Sequence, residues 1–260
     1  MKRLPENEVR WPKQVATPAE AVRFIDATGY CMLFPVKNVA LPSLYYAVAR
    51  DKMRHEPHWD EFIERVWTWK DALGKQRRAF YAKYFRGRGT FISLKMLPHF
   101  LAMRDAAAGP ADAGRFYTDG RISHDARAIW EALEKHGPLA TLEWRHACKM
   151  DSKPGNTRFK RAAEELQRLL IVVHSGTEKE TGAWASNRFE LVSRAFPKAA
   201  ESSRRISPEE ARKQLAAKYL EWHPKAHAAD LARLFGWGKV EAHLAMQLNR
   251  PFNANIAEER

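Results

Sequence analysis

The chain has 260 residues, 45% of them apolar and 29% charged, with 44 Lys/Arg against 31 Asp/Glu and a net charge of +13. That length suffices for a large domain or a few small ones. No apolar run approaches the roughly 18 residues needed to span a bilayer, and the opening MKRLPENEVRWPKQ lacks the apolar core of a secretory signal, so no membrane is expected and the expected compartment is the cytoplasm. Two distant cysteines, Cys31 and Cys148, fit buried thiols in a reducing compartment.

In chain order, TPAEAVRFI opens a helix: Thr17 caps, Pro18 suits the first position, Glu20 closes a capping box, and Gly29 ends it. GYCMLFP (29–35) follows, nearly all apolar and closed by Pro35. SLYYAVARD (43–51) and WDEFIERVWTWKDAL (59–73) have helical periodicity. FYAKYFRGRGTFIS (80–93) is aromatic and β-prone around an Arg-Gly-Arg-Gly centre, which predicts a hairpin. LKMLPHFLAMRDAAA returns to helix, and AAAGPADAG (106–114) has the composition of a linker.

A second unit begins where Ser123 caps a helix running to about His136, stopped by Gly137-Pro138. TLEWRHACK is a short helix, MDSKPGN a turn, and NTRFKRAAEELQRLL a strong helix with Asn156 as its expected cap. IVVHSGTEKETGAWASNRFELVSR predicts two strands around a loop. Two helices, a recognition-like helix and a two-stranded wing are the order of a winged helix-turn-helix. The wing loop TEKET (177–181) is acidic, which disfavours a grip on phosphate there. A third unit starts at Ser207-Pro208-Glu209-Glu210 with a capped helix, followed by HPKAHAADLARLFGW and GKVEAHLAMQL, and a loose tail is expected from Arg250. The expected fold is thus mainly α with small β-hairpins, an α+β chain of tandem winged helix-turn-helix units. The expected domains are 1–110, 111–200 and 201–260.

The charge points to a polyanionic partner, nucleic acid first. It is concentrated early: residues 1–117 hold 20 Lys/Arg against 12 Asp/Glu. Within 65–95 there are nine cations (Arg65, Lys70, Lys75, Arg77, Arg78, Lys83, Arg86, Arg88 and Lys95) and one acid, Asp71, interleaved with Trp67, Trp69, Phe80, Tyr81, Tyr84 and Phe85. The predicted DNA-binding residues are Arg77, Arg78, Lys83, Arg86 and Arg88 in this stripe. Lys153, Asn156, Thr157, Arg158 and Arg161 join them at the start of the recognition-like helix, with hydrogen-bonding capacity toward phosphates or base edges.

Enzymatic and metal motifs are sparse. His55/His58 and His223/His227 have ligand-like spacing, but Pro57 and Pro224 disrupt them and no third ligand is near, so no metal is expected. No phosphate loop, dinucleotide motif or nucleophile elbow occurs, and no cofactor is expected. Cys148 lies near His146, but residues so close on a helix do not face one another.

The segments FIDATGYCMLFPVKNVALPSLYYAVA (24–49), RGTFIS (88–93) leading into LKMLPHFLAM, NRFELVSRAFP (187–197), EEARKQLAAKYL and HAADLARLFGW together resemble the AlkZ/YcaQ-type winged-helix DNA glycosylases, over about residues 15–248. The resemblance implies tandem winged helices around a basic channel, and hydrolysis of the N-glycosidic bond of alkylated or crosslinked bases. The family's catalytic motif is Gln-apolar-Gln or Gln-apolar-Asp just after the first helix. Such a pair orients a water and stabilises oxocarbenium charge. Here the matching positions are Met32 and Phe34, which do neither, and the nearest polar substitutes are Asp26, Lys37 and Asn38. The resemblance therefore implies double-stranded DNA, damaged or intact, as the partner, with glycosylase activity lost or altered. The alternatives are an active glycosylase using Asp26 or Asn38, and a winged-helix transcription regulator.

Overall fold

The computed structural model describes residues 11, 13–50, 59–106, 111–178 and 185–249. Helix α1 (Pro18–Thr28) starts at the predicted capping box, Thr17 accepting from the Glu20 amide and Glu20 bonding back to the cap. There follow β1 (Tyr30–Met32), α2 (Leu44–Ala49) capped by Ser43, α3 (Glu61–Lys75) capped by Asp60, β2 (Phe80–Lys83) and β3 (Gly89–Ile92). The three strands pair antiparallel in the order β1-β3-β2.

After α4 (Leu97–Ala106) and α5 (Ala113–Thr118) the same order recurs: α6 (His124–His136), β4 (Leu139–Ala140), α7 (Thr141–Ala147), α8 (Lys153–Arg168), β5 (Val172–Glu178) and β6 (Ser186–Leu191), with sheet order β4-β6-β5. Helix, strand, helix, helix, strand, strand is the winged-helix order, and it occurs twice. The chain ends in α9 (Val192–Ala195), α10 (Pro197–Ser203), α11 (Pro208–Trp222), α12 (Ala228–Phe235) and α13 (Lys239–Gln247).

The apolar run GYCMLFP is explained by the first sheet. Tyr30, Met32, Phe80 and Ile92 face a core shared with α4, α11 and α13. Cys31, Leu33, Tyr81 and Phe91 face the core of the first unit, with Phe24, Val66 and Leu73. Alternating side chains along a strand serve opposite faces, so a sheet covered on both sides needs an unbroken apolar strand. The second unit has its own core, in which Trp144, Phe159, Leu166 and Phe189 meet.

The two winged units exchange contacts: α3 packs on β5, α8 packs on β2, and β2 packs on β5. Such reciprocity is the pattern of two copies around a two-fold axis. Two glycines permit the approach. A Cβ on Gly74 of α3 would lie 3.0 Å from both the carbonyl oxygen and Nδ1 of His174 on β5. Gly87, at the tip of the first hairpin with φ of +66°, sits against the Glu164 carboxylate of α8.

Several local expectations need correction. Helix α8 is capped by Ser152, whose hydroxyl accepts from the Gly155 amide, with Pro154 in the first turn, so Asn156 is inside the helix and SKPG is not a turn. Serine caps as well as asparagine, and the earlier start saves one more turn of backbone hydrogen bonds. The linker-like stretch (106–114) runs from the last residue of α4 to the first two of α5, which is capped by Asp112, and its residues 107–110 lie outside the described ones. His223 and His227 sit at the end of α11 and the start of α12, not on one helix face. His55 and His58, most of the acidic loop (179–181) and the tail from Arg250 lie outside the described residues. No described helix is long and apolar enough to cross a membrane, and no group of three His, Cys, Asp or Glu suited to a metal occurs among the described residues.

Candidate nucleic-acid interface

A cleft of about 1030 Å³ lies between the two winged units. One wall is α3 and β2, presenting Trp67, Lys70, Tyr81 and Lys83; the other is α8, presenting Lys160, Arg161, Glu164, Glu165 and Arg168. His174 and Asn187 line it from β5 and β6, and Arg121 and Thr141 complete the rim.

The α8 wall follows from helix geometry. Phe159, Ala162, Ala163 and Leu166 are buried in the second core, so the opposite side carries residues 160, 161, 164, 165 and 168. Its two acids are engaged. Glu165 accepts from the Ser123 amide and hydroxyl, each at 2.7 Å, tying α8 to the start of α6. Glu164 is 3.8 Å from Lys83. Lys160, Arg161 and Arg168 are exposed, and none has a carboxylate within ion-pair distance among the described residues. Three cations on one wall with no counterion make the cleft electropositive.

The inner side of the cleft holds a buried polar cluster. Lys70 Nζ is 2.6 Å from Asp71 Oδ1, and His174 Nε2 is 3.2 Å from the same oxygen and 3.2 Å from Asn187 Oδ1. The Lys70 and His174 side chains are each 3% exposed, Asp71 23%. The Lys70 ammonium also lies over the Trp67 ring, 4.4 Å from its centroid. Burial disfavours charge on Asp71, but the His174 ring nitrogen and the Lys70 ammonium lying against it outweigh this and hold the carboxyl below its ordinary range. Burial pushes Lys70 down, opposed by its bond to Asp71. Burial likewise pushes His174 down, opposed by Asp71, so the imidazole is neutral near pH 7. The cluster joins α3 of one unit to β5 and β6 of the other through an ammonium, a carboxylate and a neutral imidazole.

The residues singled out from sequence fall in several places. Lys83 and Arg161 line the cleft. Arg77 and Arg78 are exposed at the turn between α3 and β2. Arg86 and Arg88 are exposed on the first hairpin, and Arg86 borders a small pocket of about 50 Å³ with Asn38, Tyr219, Asp230 and Arg233. Lys153, Asn156 and Thr157 lie in the first turns of α8, away from the cleft lining. Arg158 is held by Asp125 of α6 through paired hydrogen bonds. Met32 is fully buried, its Sδ 3.9 Å from Thr90 Oγ1, while Phe34 is half-buried and stacks with Trp67 at 6.4 Å. Asp26 is on α1, its carboxyl raised by burial against the pull of Lys95 and Arg78. Neither Asp26 nor Asn38 lines the cleft.

Sequence reasoning missed Lys160, Arg168, His174 and Asn187. The first two were legible as the polar face of the strongest amphipathic helix. His174 had one signal, an imidazole inside the β-branched run IVVH.

Comparison with known proteins finds the following. The model of the AlkZ-related family matches residues 15–236. No curated protein matches the chain. Among solved structures, the Streptomyces sahachiroi DNA glycosylase AlkZ is similar at 13% identity and a TM-score of 0.47, over 86% of this chain and 60% of that one, so the chain spans about 60% of the length of that relative. With most of its length inside the family match, the chain belongs to the AlkZ-related family.

Proposed function

We propose that the chain is a DNA-binding protein of DNA repair or lesion recognition, which holds double-stranded DNA across the mouth of the cleft between its winged units. The observation that carries this reading is the row of unpaired cations, Lys160, Arg161 and Arg168, on the cleft face of α8. Phosphate neutralisation by such residues dominates sequence-independent affinity. Membership of the AlkZ-related family supports a place in DNA repair.

The glycosylase chemistry of this chain is lost or altered. Hydrolysis of an N-glycosidic bond needs a group that orients water and one that stabilises positive charge on the sugar. Met32 and Phe34 offer neither, and Met32 points into a core rather than toward the cleft. Neither of the substitutes, Asp26 or Asn38, lines the cleft. A transcription-regulator reading is less well supported, because Arg161 faces the cleft and Arg158 is engaged by Asp125.

The test has two arms on the same preparation. Affinity for an intact and an alkylated duplex, titrated at several salt concentrations, should fall steeply as salt rises; absent or salt-independent binding refutes DNA binding. Incubation of alkylated duplex with excess protein should give no abasic sites. Abundant abasic product would refute the loss of chemistry.

A further inference from the structure

Four aromatic side chains run from the first core out to the rim of the cleft. Tyr45 is buried and anchors Phe34, with ring centroids 5.6 Å apart. Phe34 stacks on Trp67 at 6.4 Å and 24°. Trp67 meets Trp59 at 6.1 Å and 65°. Exposure rises along the row: Trp67 is 42% exposed and Trp59 65%. Two tryptophans left this open are costly in water unless something covers them.

Their surroundings indicate what does. Trp67 is itself part of the cleft lining, on the wall that faces α8 with its Lys160, Arg161 and Arg168, unpaired among the described residues. An apolar helix or a lipid chain would cover the rings and leave those cations without partners. A nucleotide satisfies both, with a flat π face for the tryptophans and a phosphate for the cations. The row is also fixed at its inner end, since Trp67 contacts both the Phe34 ring and the Lys70 ammonium. A fixed ring loses little freedom on stacking.

We propose that Trp59 and Trp67 form a stacking site for an unpaired nucleobase at the rim of the cleft, with the adjoining phosphates on the α8 cations. The site rests on the DNA reading above and adds what that reading lacks, a preference for DNA in which a base is out of the helical stack. Trp59 presents the open face, and Trp67 stands edge-on to it as a wall. Stacking of this kind tolerates any base, because every base has a π face.

The experiment compares three probes with the full chain at one salt concentration: a fully paired duplex, the same duplex carrying one unpaired base, and a single strand of equal length. The wild type should bind the second and third more tightly than the first. Trp59→Ala should lower affinity for both unpaired probes roughly 5- to 150-fold, the range for one lost stack. It should leave the paired duplex and the salt dependence unchanged, and Trp59→Phe should restore most of the loss. Trp67→Ala should act in the same direction. Because Trp59 is so exposed, its variant remains informative even if Trp67→Ala folds poorly. Wild-type preference for unpaired probes with no loss in Trp59→Ala overturns the site. So does an unchanged DNA profile accompanied by an altered oligomeric state, which would make the ridge a protein contact. Should Lys160→Glu/Arg161→Glu/Arg168→Glu abolish duplex binding while both tryptophan variants bind normally, the DNA reading stands and this inference alone fails.

Discussion

Helices α3 and α8 hold the same position in the two winged units, the third helix before the hairpin, yet they present opposite surfaces. Helix α3 begins with Asp60, Glu61 and Glu64, an acidic start that repels phosphate, and its inner face buries Trp69, Lys70 and Leu73. Helix α8 begins at Ser152 with no acid in its first turn and shows three unpaired cations to the cleft. A repeated topology thus does not repeat a binding surface. One copy of the helix serves mainly as the joint between units, and the other carries the cations of the proposed grip. The comparison makes a simple demand: variants on the inner face of α3 should cost stability and spare affinity, and variants on the outer face of α8 should do the reverse.

The largest stability effect is expected at the joint. Asp71→Asn leaves the Lys70 ammonium buried without its carboxylate. Breaking a fully buried pair costs ~3–5 kcal/mol, and with Asp71 partly exposed the cost here should be about 2–3 kcal/mol in urea unfolding. The double variant Lys70→Met/Asp71→Asn should recover a good part of that, since no charge is stranded. Affinity of the folded Asp71→Asn variant for a fully paired duplex should not change.

Next come Met32 at the end of β1 and Phe34 beyond it, the positions that the resemblance sets against the family's motif. Met32→Gln places an amide between the first sheet and the C-terminal helices without partners, at a cost of about 1–3 kcal/mol. Met32→Gln/Phe34→Gln rebuilds the Gln-apolar-Gln pattern, and the expected yield of abasic sites from alkylated duplex is still nil. A rise in product would show that β1 reaches the DNA.

The smallest effect is a pH dependence of the joint. His174 has a folded-state pKa below its ordinary unfolded value of about 6.5 because it is buried. Its neutral form therefore contributes stability that is fully present above pH ~6.5 and is lost as pH falls toward the folded value. At most ~1.4 kcal/mol per pH unit is lost in that window. His99 and His223 are pushed the same way by burial, so the contribution of His174 is read as the difference between the wild type and His174→Gln in melts from pH 7.5 to 5.5. A parallel pair of curves would contradict the assignment.

Much of the architecture was legible along the chain because it is local. Thr17, Ser123 and Ser207 mark helix starts where they were expected, and the Arg-Gly-Arg-Gly centre marks the hairpin. The cap of α8 was displaced because Ser152 and Asn156 are both competent caps, and the chain takes the earlier one, with Gly155 packed closely against the Met150 backbone. GYCMLFP read as buried, but which face met which core depends on α11 and α13, nearly two hundred residues away. The cleft was the least legible feature. It exists because α3 lies on β5 and α8 on β2, and the Asp71–His174 contact joins residues a hundred positions apart. The basic stripe at 65–95 was visible as composition. That its buried member Lys70 belongs to the joint while exposed Lys83 faces the cleft is a matter of tertiary burial.

The central claim is that the cations of α8 hold DNA. Its most direct test is the dependence of duplex affinity on salt for the wild type and for Lys160→Glu/Arg161→Glu/Arg168→Glu, plotted as log K against log salt concentration. Each phosphate contact contributes about 0.9 to the slope, so the variant should bind far more weakly and its slope should be shallower by roughly 2–3. An affinity and a slope matching the wild type, in a variant whose melting temperature is unchanged, would place the grip elsewhere and contradict the account.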